Sequence, residues 1–256
     1  MSQNALQGFS AAANGFPYPN AWEPGTPVVE IPTPFGRIPI GDASGGVCGG
    51  MVFAAADYWL AGVPVPPERS PEVFRHFCRR LIDSWALPFG LLRYYDWQRR
   101  PGGSRTVLGV VRPGLIRLTV AEEVPKIAAA IDAGLPAPLG LVKVHSWDPR
   151  QMPRNHQILA FGYAIDDSKI ELRCYDPNWP SDDVILTVPA GDLDADAPVV
   201  HSIEGTTGRG VFHVPYSRSD VALPIREAGA QAPQIRRGLR TRLSLTSPDS
   251  PCPSGK

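Results

Sequence analysis

The sequence predicts an α+β fold in which an N-terminal helical subdomain packs on a mostly antiparallel β-sheet. Three observations carry this expectation. Helical patterns come first along the chain and strand patterns later. The strand segments are short and rich in β-branched and aromatic residues. The chain has 256 residues, 43% of them hydrophobic, enough for one substantial core.

Residues 1–30 are rich in Pro, Gly, Ala and Asn without a period and read as an irregular arm. Phe16, Tyr18 and Trp22 predict that this arm docks on the surface of a main domain spanning 31–217. From Cys48 to about Leu60 the Ala-rich run with Met51, Ala55, Tyr58 and Trp59 suits a buried helix, stopped by Gly62. "SPEVFRHFCRRLIDSW" is a second helix, with Ser70 as N-cap, Pro71 at the first helical position and Glu72 in the first turn. Phe74, Phe77, Cys78, Leu81, Ile82 and Trp85 form its apolar stripe, which leaves His76 off the stripe and exposed. Residues 87–118 read as a buried amphipathic helix with a basic edge; Tyr94, Tyr95 and Trp97 beside Arg93, Arg99 and Arg100 also suit a cleft wall. A further helix is expected from about Val120 to Ala133, with Thr119 as N-cap, Gly134 past its end and Pro125 interrupting its start.

Strands are expected at 137–144, 156–165, 169–176, 184–188 and 210–216. Residues 218–256 hold seven Lys or Arg against three Asp or Glu, many Pro and Ser, and few large apolar side chains. Such a segment buries too little surface to offset its ordering entropy, so a basic disordered tail is expected.

Composition excludes several functions. Lys plus Arg equals Asp plus Glu at 25 each, so no global field draws the chain to nucleic acid or to a membrane. No apolar run approaches the roughly 20 residues that span a bilayer. The N-terminus lacks the basic and apolar regions of a signal peptide, so the expected location is cytoplasmic, or outside by a route without one. The four cysteines, Cys48, Cys78, Cys174 and Cys252, form no C-x-x-C pair. The acidic stretch 182–196 lacks calcium-loop order, and "PGGSR" lacks the Lys-Ser/Thr of a phosphate loop. No metal or cofactor is expected.

Chemistry enters at "GDASGGVCGGM". Cys48 stands at the start of a predicted helix, where the dipole and unpaired N–H groups favour thiolate and can hold an oxyanion. Gly45, Gly46, Gly49 and Gly50 clear space around it. Alone, such a cysteine reads as a small residue at a tight junction. "NHQILAFGY" supplies a partner, His156, at the start of a strand. On the next strand Ile170, Leu172, Cys174 and Asp176 alternate on one face, and a carboxylate ending an apolar face calls for a partner such as a His N–H. For His156 and Asp176 to share a face, the hairpin needs an odd-length turn or a bulge near "DDSK". His145 is a possible cleft residue; His201 and His213 show no acidic partner in a clear pattern.

"GGVCGGM", "NHQILAFGY" and "YDPN", in that order, resemble the papain-like cysteine peptidase superfamily, in particular its bacterial C39-like members. The resemblance brackets residues from about 40 to 216. It implies a papain-like fold, a Cys48 nucleophile, His156 as general base and Asp176 as the group that orients it, with Asn178 as the rival orienter. It implies hydrolysis of a peptide or other amide bond through a thioester. Trp179 either shields the His–Asp hydrogen bond or is plain core. One departure stands out. The family's oxyanion-hole Gln before the Cys is absent, and Asp42, Ser44 or backbone N–H groups near Gly49 stand in that region. Two alternatives keep the same trio: transfer of the acyl group to an amine or alcohol, and a catalytically silent fold that binds a ligand or protein.

Overall fold

The computed structural model describes residues 1–33, 36–40, 43–85 and 89–221; the expected tail from 222 onward and Asp42 lie outside the described residues. Strand β1 (Ser2–Ala5) and the one-turn helix α1 (Ala11–Asn14) precede a hairpin of β2 (Val29–Thr33) and β3 (Gly36–Ile40). Helices α2 (Cys48–Ala61), α3 (Pro71–Ser84) and α4 (Phe89–Gln98) follow, then a hairpin of β4 (Arg105–Val107) and β5 (Val110–Arg112). A helical stretch divides into α5 (Leu115–Leu118), a π-helical turn (Thr119–Glu123) and α6 (Val124–Asp132). Strands β6 (Ala137–Val142), β7 (His156–Ile165), β8 (Lys169–Tyr175), β9 (Asp183–Pro189), β10 (Val199–His201), β11 (Gly205–Gly208) and β12 (Gly210–His213) complete it. The segment 87–118 is therefore a helix and a hairpin leading into a second helix, not one helix.

Among the described residues, eight strands share one sheet in the order β11-β10-β9-β8-β7-β6-β12, with β1 also on β7. Every pairing in it is antiparallel, so the architecture is α+β with an antiparallel sheet. The ten-residue β7 is its centre. One edge carries β8; the other is divided between β6, against His156–Ala160, and β1, against Gly162–Ile165. β6 is buried along its whole length, which explains its unbroken apolar sequence. No helix among the described residues is long and apolar enough to cross a membrane.

Local chemistry sets the helix ends. Ser70 caps α3 by accepting from Val73 N at 3.2 Å, with Pro71 behind it where no N–H is needed. Gly62 stops α2 in the left-handed conformation at φ 65°, with its N–H on Trp59 O and Val63 N on Tyr58 O. Those two bonds satisfy carbonyls that the helix end leaves open. α2 is buried from Gly49 to Tyr58, a helix that is apolar nearly all round because it lies inside the core. Its exception is Asp57, fully buried.

Asp57 corrects the reading of α3. His76, expected exposed, is 1% exposed, and Arg80 is 2% exposed. Ile82, expected in the apolar stripe, is exposed. The helix is turned so that Arg80 pairs with Asp57 at 2.7 Å and His76 Nε2 lies 3.5 Å from the same carboxylate. Tyr216 Oη and Ser219 N donate to Asp57 at 2.6 and 2.9 Å, and Arg80 also reaches Ser217 O at 2.6 Å. A buried carboxylate must be paired, and that requirement outranks the apolar stripe. The cluster also holds 216–219 on α2 and α3, past the expected domain end at 217. Asp57→Ala is expected to destabilise the protein by about 3 kcal/mol, because the buried Arg80 keeps only Asp83 and Ser217 O while Tyr216 Oη and Ser219 N lose their acceptor. Urea unfolding monitored by circular dichroism measures it, and a loss below about 1 kcal/mol would contradict the pairing argument.

Thr119 is not an N-cap. It has helical φ and ψ of −57° and −53°, and the helix begins one turn earlier, at Leu115. Its hydroxyl donates to Val211 O and accepts from Val211 N, tying the π-turn to β12. Pro125 falls at the first turn of α6, where the π-turn ends and its missing N–H costs little.

Residues 1–30 differ from the expected irregular arm. They supply β1 and α1, and Leu6, Phe9, Phe16 and Tyr18 are buried. Phe9 stacks on Phe161 with ring centroids 4.7 Å apart, and Phe16 N donates to Tyr175 Oη. The absence of a sequence period reflects short elements packed individually into the core.

Candidate active site

The site forms where α2 begins, β7 begins and β8 ends. Cys48 is the first residue of α2. The preceding turn, Ala43–Gly45, ends in Gly46 at φ 93°, a conformation suited to glycine. Asn20 clamps this turn, its Oδ1 accepting from Val47 N at 2.7 Å and from Trp22 Nε1 at 3.2 Å. A Cβ on Gly46 would stand 2.4 Å from Asn20 Nδ2, so the glycine and the carboxamide require each other. Gly49 does the same on the other side, where a Cβ would meet Ser84 Oγ at 2.4 Å and Gln157 Oε1 at 2.7 Å.

His156 is held from before and behind. Asn155 Oδ1 accepts from Lys143 N and Val144 N, and its Nδ2 donates to Gln98 Oε1 and Met152 O. Tyr94 Oη donates to His156 O at 3.3 Å. The imidazole Nε2 lies 2.7 Å from Asp176 Oδ1, so Nδ1 is the ring nitrogen not engaged by the carboxylate, and His156 lines the same cleft as Cys48, near enough for its charge to act on the sulfur. The shared face arises from a register shift between Ala160 and Gly162, a bulge at Phe161 within the strand rather than at the "DDSK" turn.

Of the two polar side chains in "DPN", Asp176 makes the contact with His156. Asn178 instead gives its backbone N–H to Asp176 Oδ1 at 2.8 Å, while its side chain accepts from Asn20 Nδ2 at 3.4 Å. Trp179 is half-buried against the core, and its indole donates to Glu204 Oε1 at 3.0 Å. Ser44 is exposed in the turn before Cys48. His145 is exposed and does not line the cleft. His201, for which the sequence offered no acidic partner, is fully buried with Nε2 3.3 Å from Asp176 Oδ2.

Electrostatics follow from these contacts. Burial pushes the Cys48 thiol up, but the charge and hydrogen bond of His156 and the Gln157 backbone N–H outweigh it and lower the pKa. For His156, burial favours the neutral ring; Asp176 and Cys48 overcome this and raise the pKa to about 10. Burial also opposes ionisation of Asp176, yet His156, His201 and Asn178 N hold it well below the usual carboxylate range. The favoured state is thiolate, imidazolium and carboxylate in a row. The other described cysteines go the opposite way, Cys78 pushed up to about 11 by burial and Cys174 well above the ordinary thiol value by burial and the Asp176 charge.

A cleft of about 380 Å³ opens beside Cys48 and His156. Val28, Leu81, Trp85, Tyr94 and Met152 give it mainly apolar walls, and Gly45 and Gly46 form part of its rim. Tyr94 thus brings the inner face of α4 to the site, while Arg99 and Arg100 on the outer face pair with Asp96. Among the described residues no group of three or more His, Cys, Asp or Glu side chains is arranged to hold a metal ion.

Sequence reasoning missed His201, Asn20 and Gln157. Gln157 follows a recognised histidine but carries no signal of its own, and Asn20 sat in a segment read as irregular. The chain matches no family model, no curated protein and no solved structure.

Proposed function

We propose that this chain is a thiol hydrolase with a papain-like arrangement, cleaving a peptide or other amide bond through Cys48, His156 and Asp176. The observation that carries the reading is that Cys48 and His156 line one mainly apolar cleft while His156 is bound at 2.7 Å to the buried Asp176. A nucleophile on a buried helix and a histidine opening the facing strand support the fold reading. In this reaction the thiolate forms a C–S bond to the substrate carbonyl carbon. His156, protonated at the nitrogen facing the sulfur, gives its proton to the leaving amine as the C–N bond breaks. Water then attacks the thioester, His156 takes its proton, and the acid leaves as Cys48 regains the thiolate. Asp176 keeps the imidazole turned and stabilises its charge. The Cys48 N–H, at the first helical position, has no acceptor within the helix and suits the developing oxyanion. The Asn20 clamp on Val47 fixes the turn that presents it.

The test is iodoacetamide labelling of the whole chain across pH, read by peptide mass spectrometry. Cys48 is expected to label with a midpoint below the roughly 8.5 of a free thiol, while Cys78 and Cys174 stay unlabelled at the same pH. Hydrolysis of a mixed peptide pool, lost in Cys48→Ala, is the accompanying activity. Labelling of Cys48 with an ordinary thiol midpoint, or no faster than Cys78, would sink the proposal.

A further inference from the structure

We infer that His201 is a positioning residue of this site, an Nε2–H donor that holds the second oxygen of Asp176 and so keeps the first aligned on His156. The inference rests on the proposed role of Cys48, His156 and Asp176. His201 ends β10, two strands away from β8, yet its ring reaches Asp176 Oδ2 at 3.3 Å. Both side chains are 1% exposed.

The other ring nitrogen decides the tautomer. His201 Nδ1 accepts from Ile203 N at 3.2 Å and from Glu204 N at 3.1 Å. A nitrogen that accepts N–H bonds carries no proton, so the ring proton sits on Nε2, facing the carboxylate. The backbone turn after β10 thereby chooses which end of His201 donates. That turn is braced in its own right, since Glu204 accepts from Trp179 Nε1 and pairs with Lys143 at 3.0 Å. Trp179 stands three residues beyond Asp176 and donates its backbone N–H to Asp176 O at 2.9 Å. The orienting carboxylate is therefore fixed at both oxygens, Oδ1 by His156 and Asn178 N, Oδ2 by His201. A carboxylate held at one oxygen swings about its Cβ–Cγ bond; held at both, it keeps its plane and its line to His156.

The experiment compares wild type, His201→Phe and His201→Gln by the pH dependence of Cys48 labelling, with thermal melting alongside. Phe keeps the bulk and loses the donor; the Gln carboxamide restores an N–H near the Nε2 position. His201→Phe is expected to slow labelling at pH 6 by about tenfold and to shift the midpoint upward, while His201→Gln stays within about threefold of wild type. Equal slowing in both variants, or a wild-type profile in His201→Phe, overturns the inference and leaves the hydrolase reading in place. A wild-type Cys48 that titrates as an ordinary thiol sinks both. Nitrogen-15 NMR of histidine-labelled wild-type protein needs no variant to fold: it should show His201 as the Nε2–H tautomer, and an Nδ1–H form would overturn the inference.

Discussion

Replacing His156 with Ala is expected to slow Cys48 alkylation at pH 6.5 by at least about tenfold, because the thiolate fraction falls when its histidine partner is lost. The sign follows from the pair. Burial alone raises the Cys48 pKa, and the His156 charge and hydrogen bond turn the net shift downward. Asp176 and Cys48 together raise His156 to about 10. The reactive thiolate–imidazolium state therefore fills as pH rises through the lowered Cys48 value and empties as pH rises through the raised His156 value. Without His156, burial and the Asp176 charge oppose ionisation against the Gln157 N–H and the helix N-terminus alone, and the thiolate forms at higher pH than in wild type. Peptide hydrolysis should fall by at least about 1,000-fold, since both the activated nucleophile and the acid for the leaving amine go together. Labelling of His156→Ala that overlays wild type would show that the histidine does not govern the thiol.

Gly50→Ala is expected to cost about 3 kcal/mol, an overpacking penalty at its upper range. A Cβ at Gly50 would lie 2.0 Å from Phe77 O, 2.8 Å from Phe77 C and 3.1 Å from Phe77 Cα. The opposing atoms are helix backbone, so no side-chain rotation relieves the clash, and α2 must move away from α3. Gly45→Ala is the control, since a Cβ there meets nothing within 4 Å. Urea unfolding should show a lower midpoint for Gly50→Ala and a Gly45→Ala stability within about 0.5 kcal/mol of wild type. Because Cys48 lies half a turn before Gly50, any Gly50→Ala protein that folds should also label more slowly at Cys48. An unchanged midpoint would mean that the helices do not touch at this glycine.

Features that depend on neighbours in sequence were legible from the residues. Ser70 and Pro71 start α3, and Gly62 stops α2, by capping chemistry that acts within a few residues. The long strands β7, β8 and β9 follow from β-branched and apolar runs, and with the early helices they point to α+β. The need for a register change between His156 and Asp176 was also legible, from strand parity alone. Its place was not, because the bulge at Phe161 answers to packing across the sheet.

What the tertiary structure decided was every polar partnership between distant segments. Periodicity counts apolar residues, so it turned α3 by its Phe and Ile residues and left His76 outside; Asp57, nineteen positions earlier on another helix, brings His76 and Arg80 in. His201 carries no local signal, and only the layering of β8, β9 and β10 sets its ring beside Asp176. Asn20 reaches Val47 because the N-terminal residues pack as part of the core. The sequence by itself determined the caps at Ser70 and Gly62, the runs of β6 to β9 and β12, and which thiol, imidazole and carboxylate lie at the ends of α2, β7 and β8. The fold alone chose which buried charges and hydrogen-bonding groups meet, because the cost of burying them unpaired is settled only when the segments are packed.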